Sequence, residues 1–329
     1  MSNEAEDQVR NKVPSGRAGL LVAAFIALAL VLPIVGFATL RLYTPQVMRD
    51  AEANLVAIAD LKAKQLENWL LERRGDAEML MMNSDLAERA MKLASGRGGA
   101  QDLARVRSFL RQVVSSYHYS EAMVVTPDGR IIAAAGEDPY LGAETQAALE
   151  RLEPGAIRRV SLYLDERGHT HIEWIVSLGH PDTMSRAPVV VLRIEAGDFI
   201  YPLVQAWPGS SASGETLLVR REGESVLFLN ELRHRKGTAL RFALPLSQLD
   251  LPAAEAIRVG APGTIQGVDY RGRVVLAAYR PVAESNWFVI AKLDRDEVLA
   301  PLRMLSLWIG AIAALATLLL GGGLVLAWR

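Results

Sequence analysis

The 329-residue sequence contains no cysteine, which excludes disulfides, thiolate metal sites and cysteine nucleophiles. It also lacks an excess of either charge: 36 basic and 37 acidic residues give a formal net charge of −1. Without a basic field, the chain is not expected to bind nucleic acid. It contains no Gly-x-Ser-x-Gly elbow, no Walker loop and no His-Glu-x-x-His motif. We therefore predict no catalytic residue and no cofactor.

Two long apolar runs are present, residues 18–40 and 304–328, and neither contains a charged residue. Each exceeds the ~20 residues that a helix needs to cross a hydrocarbon core of about 30 Å. We therefore predict two transmembrane helices. A cleaved signal peptide is the alternative for the first run, but its apolar part is longer than the usual core of about 7–15 residues.

Positive charges before the first run predict the orientation of the chain. Arg10, Lys12 and Arg17 favour a cytoplasmic segment over residues 1–17. Residues 42–303 would then lie outside the cytoplasm. Arg49 and Arg41 flank the other side of the run, so the charge bias is moderate.

Between the apolar runs, the hydrophobic period changes from that of helices to that of strands. Apolar residues at a spacing of three or four predict one long helix over residues 44–93. Alternating segments then predict two sheet domains, at 94–207 and 208–293, with a Gly- and Ser-rich boundary at 208–214. A short exit helix over 294–303 leads into the second apolar run. The predicted fold class is α+β.

The second sheet domain contains the stretches Gly-Glu-Thr-Leu-Leu-Val at 214–219, Val-Leu-Phe-Leu-Asn-Glu-Leu-Arg at 226–233, Gly-Val-Asp-Tyr-Arg-Gly at 267–272, Val-Leu-Ala-Ala-Tyr-Arg-Pro-Val at 275–282, and Trp-Phe-Val-Ile-Ala-Lys at 287–292. Together with these stretches, the order of a long helix, two sheet domains and an exit helix over about residues 44–303 resembles the double Cache family of extracytoplasmic sensor domains. The resemblance implies a long N-terminal helix and two PAS-like antiparallel sheets, the first membrane-distal and the second membrane-proximal.

The resemblance also implies a function. It predicts a sensory input module in a bacterial inner membrane, with a periplasmic central domain, that acts as a homodimer and feeds a cytoplasmic histidine kinase, diguanylate cyclase or chemotaxis module. We expect such an output domain to follow Arg329, and interpret that residue as a boundary. The Arg-x-Trp-Tyr signature of amino-acid-binding relatives is absent, since Ile172 and Glu173 precede Trp174. The resemblance therefore does not extend to amino-acid sensing.

Strand alternation in the first sheet domain predicts a polar pocket. Along residues 170–178, the apolar residues Ile172, Trp174, Val176 and Leu178 should face the long helix, and the alternate residues the pocket. The same reasoning on neighbouring strands gives the candidate ligand-binding residues Arg159, Tyr163, His171, Glu173, Arg193 and Glu195. A pocket with both signs of charge would suit a small carboxylate or zwitterion. A solvated sheet face is the alternative for each residue.

His169, His171 and Glu173 alternate along the same strand and could be read as metal ligands. Same-face neighbours in a strand are about 7 Å apart, too far for three to share one tetrahedral ion. We therefore predict no metal site.

Two other functions remain open. A membrane-anchored periplasmic scaffold would have filled sheet faces and a closed pocket. A membrane-bound hydrolase is disfavoured by the absence of a nucleophile motif.

Overall fold

The computed structural model describes residues 15–179 and 187–328. These form two compact units, one of residues 54–293 and one that joins the chain up to Ala53 with the chain from Asp294. Of the predicted cytoplasmic segment, residues 1–17, the part from 1 to 14 lies outside the described residues. The helices are α1 Ser15–Met81, α2 Ser84–Ala94, α3 Ala100–Tyr117, α4 Ala143–Glu150, α5 Ile200–Gln205, α6 Pro252–Val259 and α7 Arg295–Trp328. The strands are β1 Glu121–Val125, β2 Ile131–Ala135, β3 Ile157–Leu164, β4 Thr170–Ser177, β5 Val189–Glu195, β6 Glu215–Glu222, β7 Ser225–Phe228, β8 Ala243–Pro245, β9 Gly263–Val268, β10 Val274–Pro281 and β11 Trp287–Asp294.

The long helix differs from the single helix predicted over residues 44–93. Its described part begins at Ser15, before the first apolar run, and it ends at Met81. Asn83 then caps α2 by accepting a hydrogen bond of 3.0 Å from the amide of Leu86. An Asn side chain favours this cap over a helix interior because it satisfies one of the free amides of the next helix.

The first sheet has the strand order β2-β1-β5-β4-β3, and all its pairs are antiparallel. Its apolar face packs on the long helix, as the alternation in β4 predicts: Ile172, Trp174 and Val176 share a core with Leu66 and Trp69 of α1. The rings of Trp69 and Trp174 meet edge to face at 5.7 Å between centroids. This packing leaves the opposite face of the sheet for the polar residues.

The second sheet repeats this plan with one added strand. Its order is β8-β7-β6-β11-β10-β9. If β8 is left out and the other five strands are numbered 1 to 5 in chain order, starting with β6, the order is 2-1-5-4-3. This is the strand order of the first sheet. The α+β fold with two antiparallel sheets of one topology is therefore confirmed.

The two sheets, both within residues 54–293, contact each other through polar groups. The indole nitrogen of Trp287, which is fully buried, donates to the hydroxyl of Ser161 at 3.1 Å. The Arg220 guanidinium donates to the carbonyl of Leu162 at 2.6 Å. Both acceptors belong to β3, so the edge strand of the first sheet contacts the second.

The other unit contains the first part of α1, up to Ala53, and the whole of α7. Gly36 of α1 lies so close to α7 that an added Cβ would be 2.8 Å from Cγ2 of Ile309. Among the described residues, one helical segment is long and apolar enough to cross a membrane, Arg295–Gly323. Residues 18–40 lie within α1, but a second spanning helix stays a prediction.

Two glycines provide a matched test of this fold. Gly75 is exposed within α1 and an added Cβ would meet nothing within 4 Å, so Gly75→Ala should raise the free energy of unfolding by about 0.5–1 kcal/mol. Gly136 has φ +127°, and its added Cβ would lie 2.9 Å from the carbonyl oxygen of Ser120. Gly136→Ala should therefore lower the melting temperature. Equal effects of the two substitutions would contradict this description.

Candidate functional site

Three neighbouring strands bring charged side chains together on the face of the first sheet away from α1. Arg193 on the central strand β5 is directly opposite Glu121 of β1 and Glu173 of β4. Because paired residues point to the same face, the three side chains form one row across the sheet. This row places two of the predicted residues, Glu173 and Arg193, together.

Arg193 is the centre of this row. Its Nε donates to Glu173 Oε1 at 2.6 Å, and its two terminal nitrogens donate to Glu121 Oε2 at 2.7 Å and to the Tyr140 carbonyl at 2.9 Å. The Arg193 and Glu173 side chains are both 0% exposed. Burial alone would lower the pKa of Arg193, but the carboxylates of Glu173 and Glu121 outweigh it and raise this pKa.

Glu173 has further partners on the same face. The hydroxyls of Thr145, on α4, and Tyr163, on β3, donate to its two oxygens at 2.8 and 2.9 Å. Burial and the nearby Glu173 charge raise the pKa of the Tyr163 hydroxyl, which therefore stays a donor. Every oxygen of this buried carboxylate is thus satisfied by the protein itself.

Tyr140, in the loop between β2 and α4, covers the row. The guanidinium carbons of Arg193 and Arg167 lie 4.6 and 3.9 Å from the centroid of its ring. Its hydroxyl donates to Asp165 Oδ2. Tyr140 therefore connects the Arg193 row to a second polar cluster at the turn after β3.

That turn places Asp165 against two histidines. Asp165 Oδ1 accepts the amides of Arg167 and His169 at 3.0 and 2.7 Å, and Oδ2 lies 3.0 Å from Nε2 of His171. Burial alone would raise the pKa of Asp165, but these hydrogen bonds and that of Tyr140 lower it to about 2. Burial lowers the pKa of His171 despite Asp165, so its imidazole is neutral at pH 7.

The clusters are unbalanced in charge. Glu121 and Glu173 pair with one buried guanidinium, that of Arg193, and Tyr140 connects this row to a third carboxyl group, that of Asp165. Buried charges are stable only when paired. The face therefore has a surplus of negative charge.

Two of the predicted residues do not belong to the row. Arg159 lies on the opposite face, because a bulge shifts the register of β3 between Val160 and Tyr163. Arg159 is consequently opposite Trp174 and donates to the carbonyl of Glu284 at 2.6 Å. The prediction that Arg159 and Tyr163 share a face was wrong, since one extra residue reverses the alternation.

Glu195 is the other departure. It is opposite His171 at the end of β5 and half-buried, but within the described residues its carboxylate makes no hydrogen bond to the row. The predicted residues that the structure brings together are therefore Tyr163, His171, Glu173 and Arg193.

Sequence reasoning missed Glu121, Tyr140, Thr145 and Asp165. Glu121 had a usable signal in the sequence. It is the one charged residue of the otherwise apolar strand β1, and its charge is opposite to that of Arg193 on the mostly apolar strand β5. Tyr140 and Thr145 lie on a loop and a helix whose position over the sheet no local pattern gives.

The second sheet contains an equivalent arrangement. Lys292 on its central strand β11 is opposite Glu215 of β6, and Nζ lies 2.8 Å from both Glu215 Oε2 and Asp269 Oδ2. Asp269 directly follows β9, as Asp165 follows β3, in the shared pattern Asp-x-Arg-Gly. A buried cation between carboxylates on the central strand is thus common to both sheets.

The larger cavities lie away from the Arg193 row. One of about 530 Å³ includes Arg159 and Trp174, and one of about 810 Å³ includes Trp69, Tyr117 and Phe199. Both are on the α1 side of the first sheet. The row itself is closed by Tyr140 and α4.

Arg193→Met tests whether the row is a paired charge network. It leaves the buried carboxylate of Glu173 and the half-buried one of Glu121 without their cation, so the free energy of unfolding should fall by about 3–5 kcal/mol. Thermal unfolding of the full chain in detergent, followed by tryptophan fluorescence, measures the loss. The double variant Arg193→Met/Glu173→Gln should recover part of it; additive losses would contradict a direct pairing.

Asp269 gives a pH-dependent test in the second sheet. Burial alone would raise its pKa, but Lys292 and Arg271 outweigh burial and lower it. Its folded pKa is then below the unfolded value of about 3.9, so its contribution is present above that pH and is lost as pH falls through the folded pKa.

Asp269→Asn should therefore be less stable than the unsubstituted protein at pH 7, by about 1–3 kcal/mol, and the gap should narrow between pH 5 and pH 2. Melting temperatures across this range measure the gap. Glu224→Gln, at a side chain 88% exposed, is the control and should show none. A constant gap for Asp269→Asn would contradict the assignment.

No protein-family model and no curated protein matches the sequence. Solved structures do match. The extracellular domain of a protein described as a histidine kinase, vpHK1S-Z8, is 11% identical with a TM-score of 0.58, over 78% of this chain and 96% of that one. A domain described as belonging to a sensory box/GGDEF family protein from Vibrio parahaemolyticus is 12% identical with a TM-score of 0.54, over 77% and 99%.

A third match is the ligand-binding domain of the Campylobacter jejuni chemoreceptor Tlp3, in complex with 4-methylisoleucine. It is 12% identical with a TM-score of 0.53, over 78% of this chain and 96% of that one. Identities this low are informative about the fold alone. This chain therefore shares its fold with the extracellular and ligand-binding domains that it matches.

Proposed function

We propose that this chain is the extracytoplasmic ligand-sensing input module of a bacterial transmembrane signalling receptor. The observation that supports it best is the Arg193 row: charged groups buried between a sheet and a covering loop, in a fold shared with ligand-binding domains. Buried charges add little stability compared with well-packed apolar residues. A binding role accounts for their presence on this face.

The row favours one of the two predicted ligand classes. A guanidinium binds a carboxylate with two parallel hydrogen bonds, and Glu173 or Glu121 would bind an ammonium group. Because the face has a surplus of carboxyl groups, a zwitterion or an amine fits better than a simple carboxylate. Tyr163, His171, Glu173 and Arg193 are the proposed ligand-binding residues.

The proposed ligand competes with contacts that the protein already makes. Binding would separate Arg193 from Glu173 and displace the Tyr140 loop that covers them. A ligand changes the balance of two conformations only by its difference in affinity for them. Exchange of these internal ion pairs for ligand contacts supplies such a difference.

We further propose the membrane arrangement. Residues 18–40 and 304–328 would span the inner membrane, with 94–207 as the membrane-distal half and 208–293 as the membrane-proximal half in the periplasm. Two copies would associate along residues 44–93. The signal would pass along β11 into α7, which begins at the next residue, and on to a cytoplasmic output module of the histidine-kinase or diguanylate-cyclase type.

A membrane-anchored periplasmic scaffold is the second candidate. The complete burial of Glu173 and Arg193 favours it, because a scaffold would have a closed and internally satisfied sheet face. The two candidates differ in whether a small molecule stabilises the chain.

A thermal-shift screen of the full chain in detergent decides between them, with carboxylates, amines, betaines, amino acids, purines and sugars as the panel. A ligand at 100 times its Kd adds about 2.7 kcal/mol, which corresponds to roughly 5–10 °C for a domain of this size. Arg193→Lys, which keeps the charge but loses the paired donors, should abolish the shift.

Arg159→Lys is the matched control. It changes the same residue type on the opposite face of the same sheet and should leave the shift intact. A shift that survives Arg193→Lys would place the binding site elsewhere, and the absence of any shift across the panel would favour the scaffold.

A further inference from the structure

Asp165, His169 and His171 form a cluster that the Arg193 row does not explain. One potential ligand atom from each lies within 4.8 Å of the others. Asp165 Oδ2 is 3.0 Å from His171 Nε2 and 4.0 Å from His169 Nδ1. A tetrahedral zinc ion with bonds of about 2.0–2.1 Å requires ligand atoms roughly 3.3 Å apart, so small side-chain movements would suffice.

The carboxylate of this cluster is already oriented. Asp165 Oδ1 accepts two backbone amides of its own turn, those of Arg167 and His169. Its Oδ2, which also accepts the Tyr140 hydroxyl, lies near both imidazoles. Hydrogen bonds that fix a ligand from behind are typical of protein metal sites.

The equivalent turn of the second sheet indicates what Oδ2 lacks. There, Asp269 Oδ1 also accepts two turn amides, while its Oδ2 contacts two cations, Lys292 Nζ at 2.8 Å and Arg271 Nε at 2.7 Å. Asp165 has a side chain 1% exposed, yet among the described residues neither a lysine nor an arginine forms an ion pair with it. The first sheet therefore has a buried carboxylate without the fixed cation of its counterpart.

The two histidines have the freedom to bind a cation. His171 is 6% exposed and its Nδ1 has no hydrogen-bond partner within the described residues, so a metal at Nε2 would replace a single hydrogen bond. His169 has a side chain 58% exposed, so its ring can turn toward Oδ2 about its own side-chain torsions without displacing packed neighbours.

We propose that Asp165, His169 and His171 bind a divalent transition metal of the zinc class. Two imidazoles and one carboxylate suit Zn²⁺ or Co²⁺ and do not suit Mg²⁺ or Ca²⁺, which prefer oxygen ligands. Three protein ligands leave a fourth position for water or a further ligand. The earlier expectation of no metal site considered Glu173 as third ligand, whereas the turn supplies Asp165. The proposal does not depend on whether an organic ligand binds.

Metal titration of the untagged full chain in detergent, after removal of metals with EDTA, tests the proposal. One Co²⁺ per chain should bind and produce the visible absorption bands that are typical of a four-coordinate Co²⁺ ion. Zn²⁺ should displace the Co²⁺ and should also raise the melting temperature. His169→Ala removes an exposed ring, so the metal-free melting temperature should be unchanged while Zn²⁺ affinity falls about 10–100-fold.

His234→Ala is the matched control, a histidine of the second sheet domain, and should bind Zn²⁺ as the unsubstituted protein does. The proposal is overturned if His169→Ala and the unsubstituted protein bind Zn²⁺ equally, if His234→Ala removes binding, or if Ca²⁺ binds more tightly than Zn²⁺.

Discussion

The buried guanidinium of Arg193 constrains the first sheet domain more than any other single group. It joins carboxylates on both neighbouring strands and the carbonyl of a covering loop, so the strands, the loop and α4 have one polar arrangement in common. Charges removed from water must be paired, and here each partner is itself buried or half-buried. A change at any one of these groups therefore alters the others. That dependence is a property expected of a binding site and also of a rigid scaffold.

The second sheet applies the same constraint with different residues. Lys292 replaces Arg193, Glu215 replaces Glu121, and Asp269 occupies the position of Asp165. In the second sheet Lys292 pairs with both carboxylates, and Arg271 pairs with Asp269 as well. In the first sheet, Arg193 pairs with Glu121 and Glu173 on the neighbouring strands, and the side-chain partners of Asp165 are a tyrosine and a histidine. The two sheet domains thus share their topology and the positions of their buried charges. They differ in the ratio of carboxyl groups to paired cations, and the surplus of negative charge is in the first.

Much of this fold follows from periodicity. Alternation in β4 correctly separates Trp174, which packs on the long helix, from Glu173, which faces the polar row, because side-chain direction in a regular strand depends only on parity. Parity fails wherever an extra residue enters, and the bulge in β3 moved Arg159 to the wrong face. The helix end at Met81 had a local signal in Asn83. The contribution of Asp165 had none, because it depends on how a turn folds back over its own strand.

The polar clusters also bear on how a signal would leave the first sheet. Ser161 and Leu162, at the bulge of β3, accept hydrogen bonds from Trp287 and Arg220 of the second sheet, and Tyr163, two residues from Ser161, donates to Glu173. Glu173 is therefore connected to the contact between the sheets by one hydrogen bond, to Tyr163, and by the two residues of β3 from Tyr163 back to Ser161. Trp287 begins β11, whose last residue precedes α7. The irregular strand that misleads the sequence pattern thus also connects the buried charges, through Trp287 and the chain of β11, to the helix predicted to cross the membrane.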